Sequence, residues 1–146
     1  MFSKETEYAL KALVYIQVKN NIKLRPGIAE IAHEIGVPHF FTAKILQRLV
    51  KQGFVESIKG KGGGFYFDKN KPKVILKDLV SSIEGDKSFI GCGFGLKQCD
   101  ENNPCPLHRQ FSSIRESIHN LLNNESVQTL ALKLTGDSTK QFNWLG

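Results

Sequence analysis

Cysteine is absent from the first 91 residues and from the last 41. All three thiols, Cys92, Cys99 and Cys105, fall within 14 residues of one another. An odd number of cysteines cannot all pair, and a chain confined to one such cluster is not a disulfide-stapled secreted scaffold. It fits a cytoplasmic compartment, where thiols stay reduced. Long apolar runs are missing too. None approaches the ~20 residues that span a bilayer, so no membrane partner is expected. The N-terminal "MFSKETEYALKALVYIQVKN" mixes charges of both signs and has no small-residue cleavage site, so it reads as an amphipathic helix and not as a signal peptide. There is no internal repeat, no low-complexity tract, no dinucleotide fingerprint, no Ser-His-Asp set and no carboxylate pair. Cys105 and His108 offer the one nucleophile-and-base combination, and a loop holding three cysteines makes it the poorest reading. An enzyme with a small-molecule substrate is therefore not expected.

Acidic residues are scarce where basic ones are dense. Residues 1–80 carry 14 Lys/Arg against 7 Asp/Glu, whereas residues 81–146 carry 6 against 7. Between 39 and 77 only Glu56 and Asp68 oppose nine basic side chains. Such a concentration suits a polyanion, because cations laid along phosphates release condensed counterions. The apolar content of 40% and charged content of 23% are ordinary for a globular chain, so a core is affordable.

Helical spacing of Tyr8, Leu10, Leu13, Val14 and Ile16 predicts a first helix over 5–19. A short second helix, "IAEIAHEIG", turns Ile28, Ile31, Ala32 and Ile35 to one side and ends at Gly36. "HFFTAKILQRLVKQG" follows after a three-residue turn. Phe41, Ile45, Leu46, Leu49 and Val50 form its expected inner face, while Phe40, Ala43, Lys44, Gln47 and Lys51 project outward. Two short helices joined by a glycine turn, the second amphipathic and basic, predict a helix-turn-helix.

The next stretch, "FVESIKGKGGGFYF", holds two β-prone runs, 54–58 and 65–67, around a lysine-bearing glycine turn. A hairpin directly after a helix-turn-helix is a wing. Its glycines admit positive φ and close approach to a phosphate, and Lys59 and Lys61 would meet the DNA backbone or minor groove. "GKGGG" lacks the spacing of a nucleotide-phosphate loop. The fold class is thus mainly α, a winged helix-turn-helix domain over 1–80. Residues 81–146 would hold the cysteine loop (91–108) and a long amphipathic helix bearing Phe111, Ile114, Ile118, Leu121 and Leu122. Such a helix often dimerises, although the same pattern would serve packing on its own domain. A helix over 74–86 capped by Gly85, a last short helix in "SVQTLALKL" and a loosely held tail, with Trp144 packed on the body, complete the expectation. His33 and His119 are expected on solvated helix surfaces, and His39 stands at the start of the recognition helix.

The thiols are spaced Cys-x6-Cys-x5-Cys, followed by x2-His. Oxidative pairing, redox sensing and metal ligation all remain open from the residues alone. Three thiolates and a histidine could hold zinc, but these spacings do not match the short knuckles of most structural zinc sites. Glycines at 91, 93 and 95, with Pro104 and Pro106, would let the loop wrap a metal group.

From residue 5 to about 123 the chain resembles the bacterial winged-helix regulators of the Rrf-two family, in its iron–sulfur branch. The marks are "YALKAL" at 8–13, "IAEIAHEIGVP" at 28–38, "KILQRLVKQGFVES" at 44–57, "KGKGGGF" at 59–65 and three cysteines before a long helix. The resemblance implies a homodimer on a palindromic operator in double-stranded DNA. It implies DNA contacts from His39, Phe40, Ala43, Lys44, Gln47, Arg48, Ser57, Lys59 and Lys61. It also implies an iron–sulfur cluster, most often 2Fe–2S and sometimes 4Fe–4S, on Cys92, Cys99 and Cys105. His108 stands where the IscR type supplies the fourth ligand, and Glu7 where the NsrR type supplies a carboxylate from the partner's first helix. Members without a cluster exist, so a same-fold regulator sensing redox through its thiols or holding zinc is the alternative. Lys59 replaces the usual wing arginine and loses its bidentate fork. Pro38, Phe40 and Ala43 depart from the more polar IscR type, so the operator sequence is not carried over.

Overall fold

A computed structural model of the chain describes residues 2–86, 92–136 and 141–146. Its elements run α1 (Lys4–Asn21), α2 (Ile28–Ile35), α3 (His39–Lys51), β1 (Glu56–Ile58), β2 (Gly64–Tyr66), α4 (Leu76–Glu84), α5 (His108–Asn124) and α6 (Val127–Thr135). The mainly helical winged-helix fold expected from the sequence is the fold observed. The chain divides into two compact units. One comprises residues 1–74 and 126–146, the other residues 75–125. The sequence boundary at residue 80 grouped 126–146 with the cysteine loop, whereas here α6 packs against α1.

In the first unit, α1 starts at Ser3, whose hydroxyl accepts from the Thr6 amide at 3.2 Å, with Glu5 and Glu7 in the first turn. Its buried side chains are Thr6, Ala9 and Ala12 through Ile16. Tyr8 and Leu10, expected in the apolar face, are only half-buried, because small alanines bring α1 closest to its neighbours. Gly36 ends α2 in the left-handed conformation (φ 68°) and lets Val37 N–H reach back to Ala32 C=O at 3.1 Å. The α3 core face is Thr42, Leu46 and Leu49. Phe41 is a correction: it is 54% exposed. Thr42 takes the inward position because its hydroxyl donates to Pro38 C=O at 3.1 Å, which satisfies a polar group in the core.

β1 and β2 pair antiparallel, with Ser57 opposite Phe65 and Ile58 opposite Gly64. Asn20, at the end of α1, fixes this hairpin to the body. Its Nδ2 donates to Phe65 C=O at 3.2 Å and its Oδ1 accepts from Phe67 N–H at 2.8 Å. Phe65 N–H donates to Pro26 C=O at 2.9 Å. Gly64 (φ 144°) lies so close to the carbonyl of Arg25 that any Cβ would collide with it. α6 opens with a reciprocal capping box between Ser126 and Thr129, and Val127 N–H donates to Val74 C=O at 2.9 Å. The tail is more firmly held than expected. Trp144 meets Tyr15 edge-on at 5.5 Å and Phe142 at 4.9 Å, and Leu145 covers the Cα of Gly36.

In the second unit, Leu76, Leu79 and Val80 of α4 and Leu122 of α5 are buried, and α4 packs on α5. Leu122 is the only buried residue of α5, and Phe111, Ile114 and Leu121 are exposed. No helix among the described residues is long and apolar enough to cross a membrane.

Candidate nucleic-acid interface and cysteine centre

The first unit presents α3 and the hairpin side by side. Gln47 and Lys51 of α3, Ser57 and Ile58 of β1, and Lys59 line one open cleft. Three of the sequence-predicted DNA residues, Gln47, Ser57 and Lys59, are thereby brought together. His39, Phe40 and Lys44 lie exposed along α3, Ala43 is half-exposed, and Lys61 is exposed in the glycine turn. None of these five lines the cleft. Phe40 is 61% exposed, and the Lys44 ammonium stands 4.6 Å over its ring. An apolar ring and a cation projecting from one helix face can meet base edges and phosphates respectively. Arg48 is placed differently: its guanidinium forms an ion pair with Glu5 of α1. That pair ties α3 to the helix behind it.

The cysteines belong to the second unit. Cys99 Sγ is 3.5 Å from His108 Nδ1 and accepts from Arg115 Nη2 at 3.1 Å. Cys92 and Cys105 lie near enough to shift each other's ionisation, and Cys99 acts on Cys105 as well. Backbone N–H groups of Leu96 and Phe94 aim at the Cys92 sulfur and hold its pKa below the ordinary thiol value, with smaller help from Cys105. Burial pushes Cys105 up, and its neighbour Cys92 adds to the rise. All three thiols are free and partly accessible. His108 opens α5, and its N–H donates to Cys105 C=O at 3.0 Å. The loop approaches α5 so closely at Gly93 that a Cβ there would strike the Phe111 ring. Gly91 lies outside the described residues.

Among the described residues no three His, Cys, Asp or Glu side chains converge on one point. Of the four predicted donors, Cys99 and His108 stand 3.5 Å apart, and Cys105 feels the charge of both Cys92 and Cys99. The alternative donor, Glu7, lies on α1 in the first unit and pairs with Lys4 at 3.1 Å. His33 is exposed as expected, and His119 is half-buried. Sequence reasoning missed Asn20 as the hairpin's anchor and Arg115 as the neighbour of Cys99. Arg115 was findable, because it follows His108 by two helical turns and so shares its face.

The recognition helix beside a glycine-turned hairpin defines a winged-helix protein of the DNA-binding class. The family model described as "Rrf2: Iron-dependent Transcriptional regulator" matches residues 2–133, and the chain belongs to that family. It is 29% identical over 134 residues to the HTH-type transcriptional repressor NsrR of Streptomyces coelicolor, covering 92% of this chain and 90% of that one. It is 24% identical over 123 residues to the HTH-type transcriptional regulator IscR of Pectobacterium atrosepticum, covering 84% and 74%. Among solved structures, CymR, the global cysteine regulator of B. subtilis, superposes with a TM-score of 0.72 at 19% identity, covering 91% of this chain and 97% of that one. The last likeness is one of fold. These relatives are named as transcriptional regulators, which is a non-enzymatic function.

Proposed function

We propose that this chain is a cytoplasmic, homodimeric DNA-binding regulator whose grip on a palindromic operator is set by an iron–sulfur cluster. Residues 1–74 carry the DNA-binding part, with 126–146 packed on it, and residues 75–125 the sensing and dimerising part. The observation that carries the cluster reading is the gathering of the four donors in the loop and the first residue of α5, with Cys99 Sγ 3.5 Å from His108 Nδ1 and Cys105 within electrostatic reach of both other thiols. Three thiolates with an imidazole are a donor set that an iron–sulfur group accepts. The donor set therefore fits a cluster on Cys92, Cys99, Cys105 and His108, read as 2Fe–2S by the family resemblance. A 4Fe–4S group would take the same donors one to an iron, and Glu7 from the partner is the alternative to His108. When bound, the cluster supplies a group that can be gained, oxidised or lost.

This chain's own residues convert that event into DNA affinity. The cysteine loop leads directly into α5, whose exposed Phe111, Ile114 and Leu121 are the surface offered to the second subunit. Re-ordering residues 92–108 shifts the start of α5 and with it the spacing of two recognition helices. A two-fold operator demands one half-site spacing, so a small shift there costs affinity. His39, Phe40, Ala43, Lys44 and Gln47 would enter the major groove, with Arg48 behind them held by Glu5. Ser57, Lys59 and Lys61 would follow the backbone from the wing.

The test is purification without oxygen, with a visible spectrum and iron and sulfide assays, wild type beside Cys99→Ala. A coloured wild type and a bleached variant support the reading. A colourless, iron-free protein even after reconstitution overturns it.

One observation favours a second reading, the nearness of Cys92 and Cys105, each of which shifts the other's ionisation. A peroxide could oxidise this pair: the two thiols give up two electrons and two protons to form the S–S bond, and the peroxide leaves as an alcohol and water. Replacing His108 separates the two readings, because a disulfide switch does not need it.

A further inference from the structure

We propose that Lys23, Arg25 and Lys69 form a second phosphate-binding patch, which grips the DNA backbone on the far side of the wing from the recognition helix. The proposal rests on the DNA-binding reading above and extends its footprint to residues outside α3 and the hairpin turn.

The hairpin has two faces. Phe65 turns to the cleft shared with α3, so its neighbour Tyr66 points the opposite way. On that opposite side lies another cleft, lined by Lys23, Arg25, Tyr66, Asp68 and Lys69. The Arg25 guanidinium lies 4.5 Å from the centroid of the Tyr66 ring, which holds a flexible cation in one place at the wing's base. Lys23, Arg25 and Lys69 are exposed, and none has an ion-pair partner among the described residues. Asp68, the one acid in the cleft, has an oxygen occupied by the Asn70 N–H at 2.9 Å. The patch thus carries an excess of two positive charges.

The backbone beneath these cations is fixed. Lys23 has a positive φ of 63°, held by its N–H on Asn20 C=O at 2.9 Å and by Leu24 N–H on Lys19 C=O at 3.0 Å. Asn20 binds Leu24 C=O as well as the β2 backbone, so one side chain ties the cationic loop to the wing. A wing laid along a duplex has phosphates on both flanks. Lys59 and Lys51 address the flank beside α3, and the new patch addresses the other. The cleft is open and bordered by three cations, which suits a polyanion.

The experiment is a salt titration of DNA binding with full-length protein. Duplexes selected from a random pool by the wild type are compared with scrambled duplexes of equal length. K23Q/K69Q keeps the Arg25–Tyr66 stack, and K23Q/R25Q/K69Q removes the patch altogether. A thermal melt checks each fold, and the double variant decides if the triple does not fold. For the double variant, the slope of log affinity against log salt is expected to fall by roughly 1 per lysine per bound protomer. Selected and scrambled duplexes should lose affinity alike, leaving their ratio unchanged. Phosphate-ethylation interference should disappear at positions outside the wing and persist beside α3. An unchanged slope with an unchanged interference pattern overturns the proposal. So does a collapse of the selected-to-scrambled ratio, which would mean base reading. A wild type that selects no duplex at all brings down the DNA-binding reading and the patch with it, whereas a normal wild type with a normal variant sinks the patch alone.

Discussion

The two units of this molecule meet their physical requirements in different ways. In residues 1–74 and 126–146 the obligations are met internally. α1 and α6 have side-chain caps, Thr42 and Ser126 are buried with their hydroxyls bonded, and Leu13, Ile16, Ile31, Leu46, Leu49 and Val127 are almost wholly shielded from water. Residues 75–125 leave obligations open. α5 is 17 residues long, has no side-chain cap at its N-terminus and buries only Leu122. Phe94, Leu96, Phe111, Ile114 and Leu121 face water, and three thiols wait without disulfide partners. A helix with an unburied apolar stripe is stabilised mainly by what packs on it, not by propensity. The first unit encloses a core even though Phe40, Phe41, Leu132 and Leu145 stay exposed, whereas the second leaves its longest helix almost unburied. On the proposed function, a second subunit and a metal group would complete this second unit, and a region that needs a ligand to be finished can report whether the ligand is there.

Four substitutions sharpen this comparison, beginning with the largest effect. Leu46→Ala empties a fully buried position in α3 and should cost about 2–5 kcal/mol in urea unfolding. Asn20→Ala strips the partners from Phe67 N–H and Phe65 C=O. It should cost about 1–3 kcal/mol and weaken DNA binding beyond that loss, since it frees the wing; anisotropy on a duplex reads the second effect. Ser126→Ala removes one half of the α6 capping box and should cost about 1 kcal/mol by the same unfolding assay. Ile114→Ser, in the open unit, should change the protomer's own stability by no more than about 0.5 kcal/mol. Sedimentation should nevertheless show it dissociating at concentrations where the wild type is dimeric. A large loss of protomer stability from Ile114→Ser would mean that α5 packs on its own chain, and the contrast between the units would fail.

Much of the first unit was legible because its rules are local. Periodicity located α2 and α3, Gly36 marked a helix end (as Gly85 did in the second unit), and "GKGGG" between two β-prone runs located the hairpin within a residue or two. The errors came where tertiary packing overrode the pattern. Apolar spacing put Phe41 inside and ignored Thr42, yet a threonine that can bond a carbonyl one turn back fits the narrow α2–α3 contact better than a phenyl ring. The same spacing favoured Tyr8 and Leu10 over Ala9 and Ala12, because hydrophobicity counts size and close helix packing rewards smallness. The tail looked dispensable by composition, and its hold on Tyr15 and Gly36 is a long-range contact that no local rule encodes. The family resemblance offered Arg48 as a DNA contact, and only the fold reveals its ion pair with Glu5. In the cysteine loop the candidate donors were legible as residue types and spacings. The presence of Arg115 beside Cys99 required the three-dimensional placement of α5.

The most direct measurement is the affinity of one preparation for one operator, taken with the cluster in place and again after its anaerobic removal, at a single salt concentration. Coupling of the usual allosteric size, about 1–3 kcal/mol, predicts a 5- to 150-fold difference between the two states. Equal affinity in both states would contradict the account, leaving a winged-helix DNA-binding protein whose cysteine loop does not govern its binding.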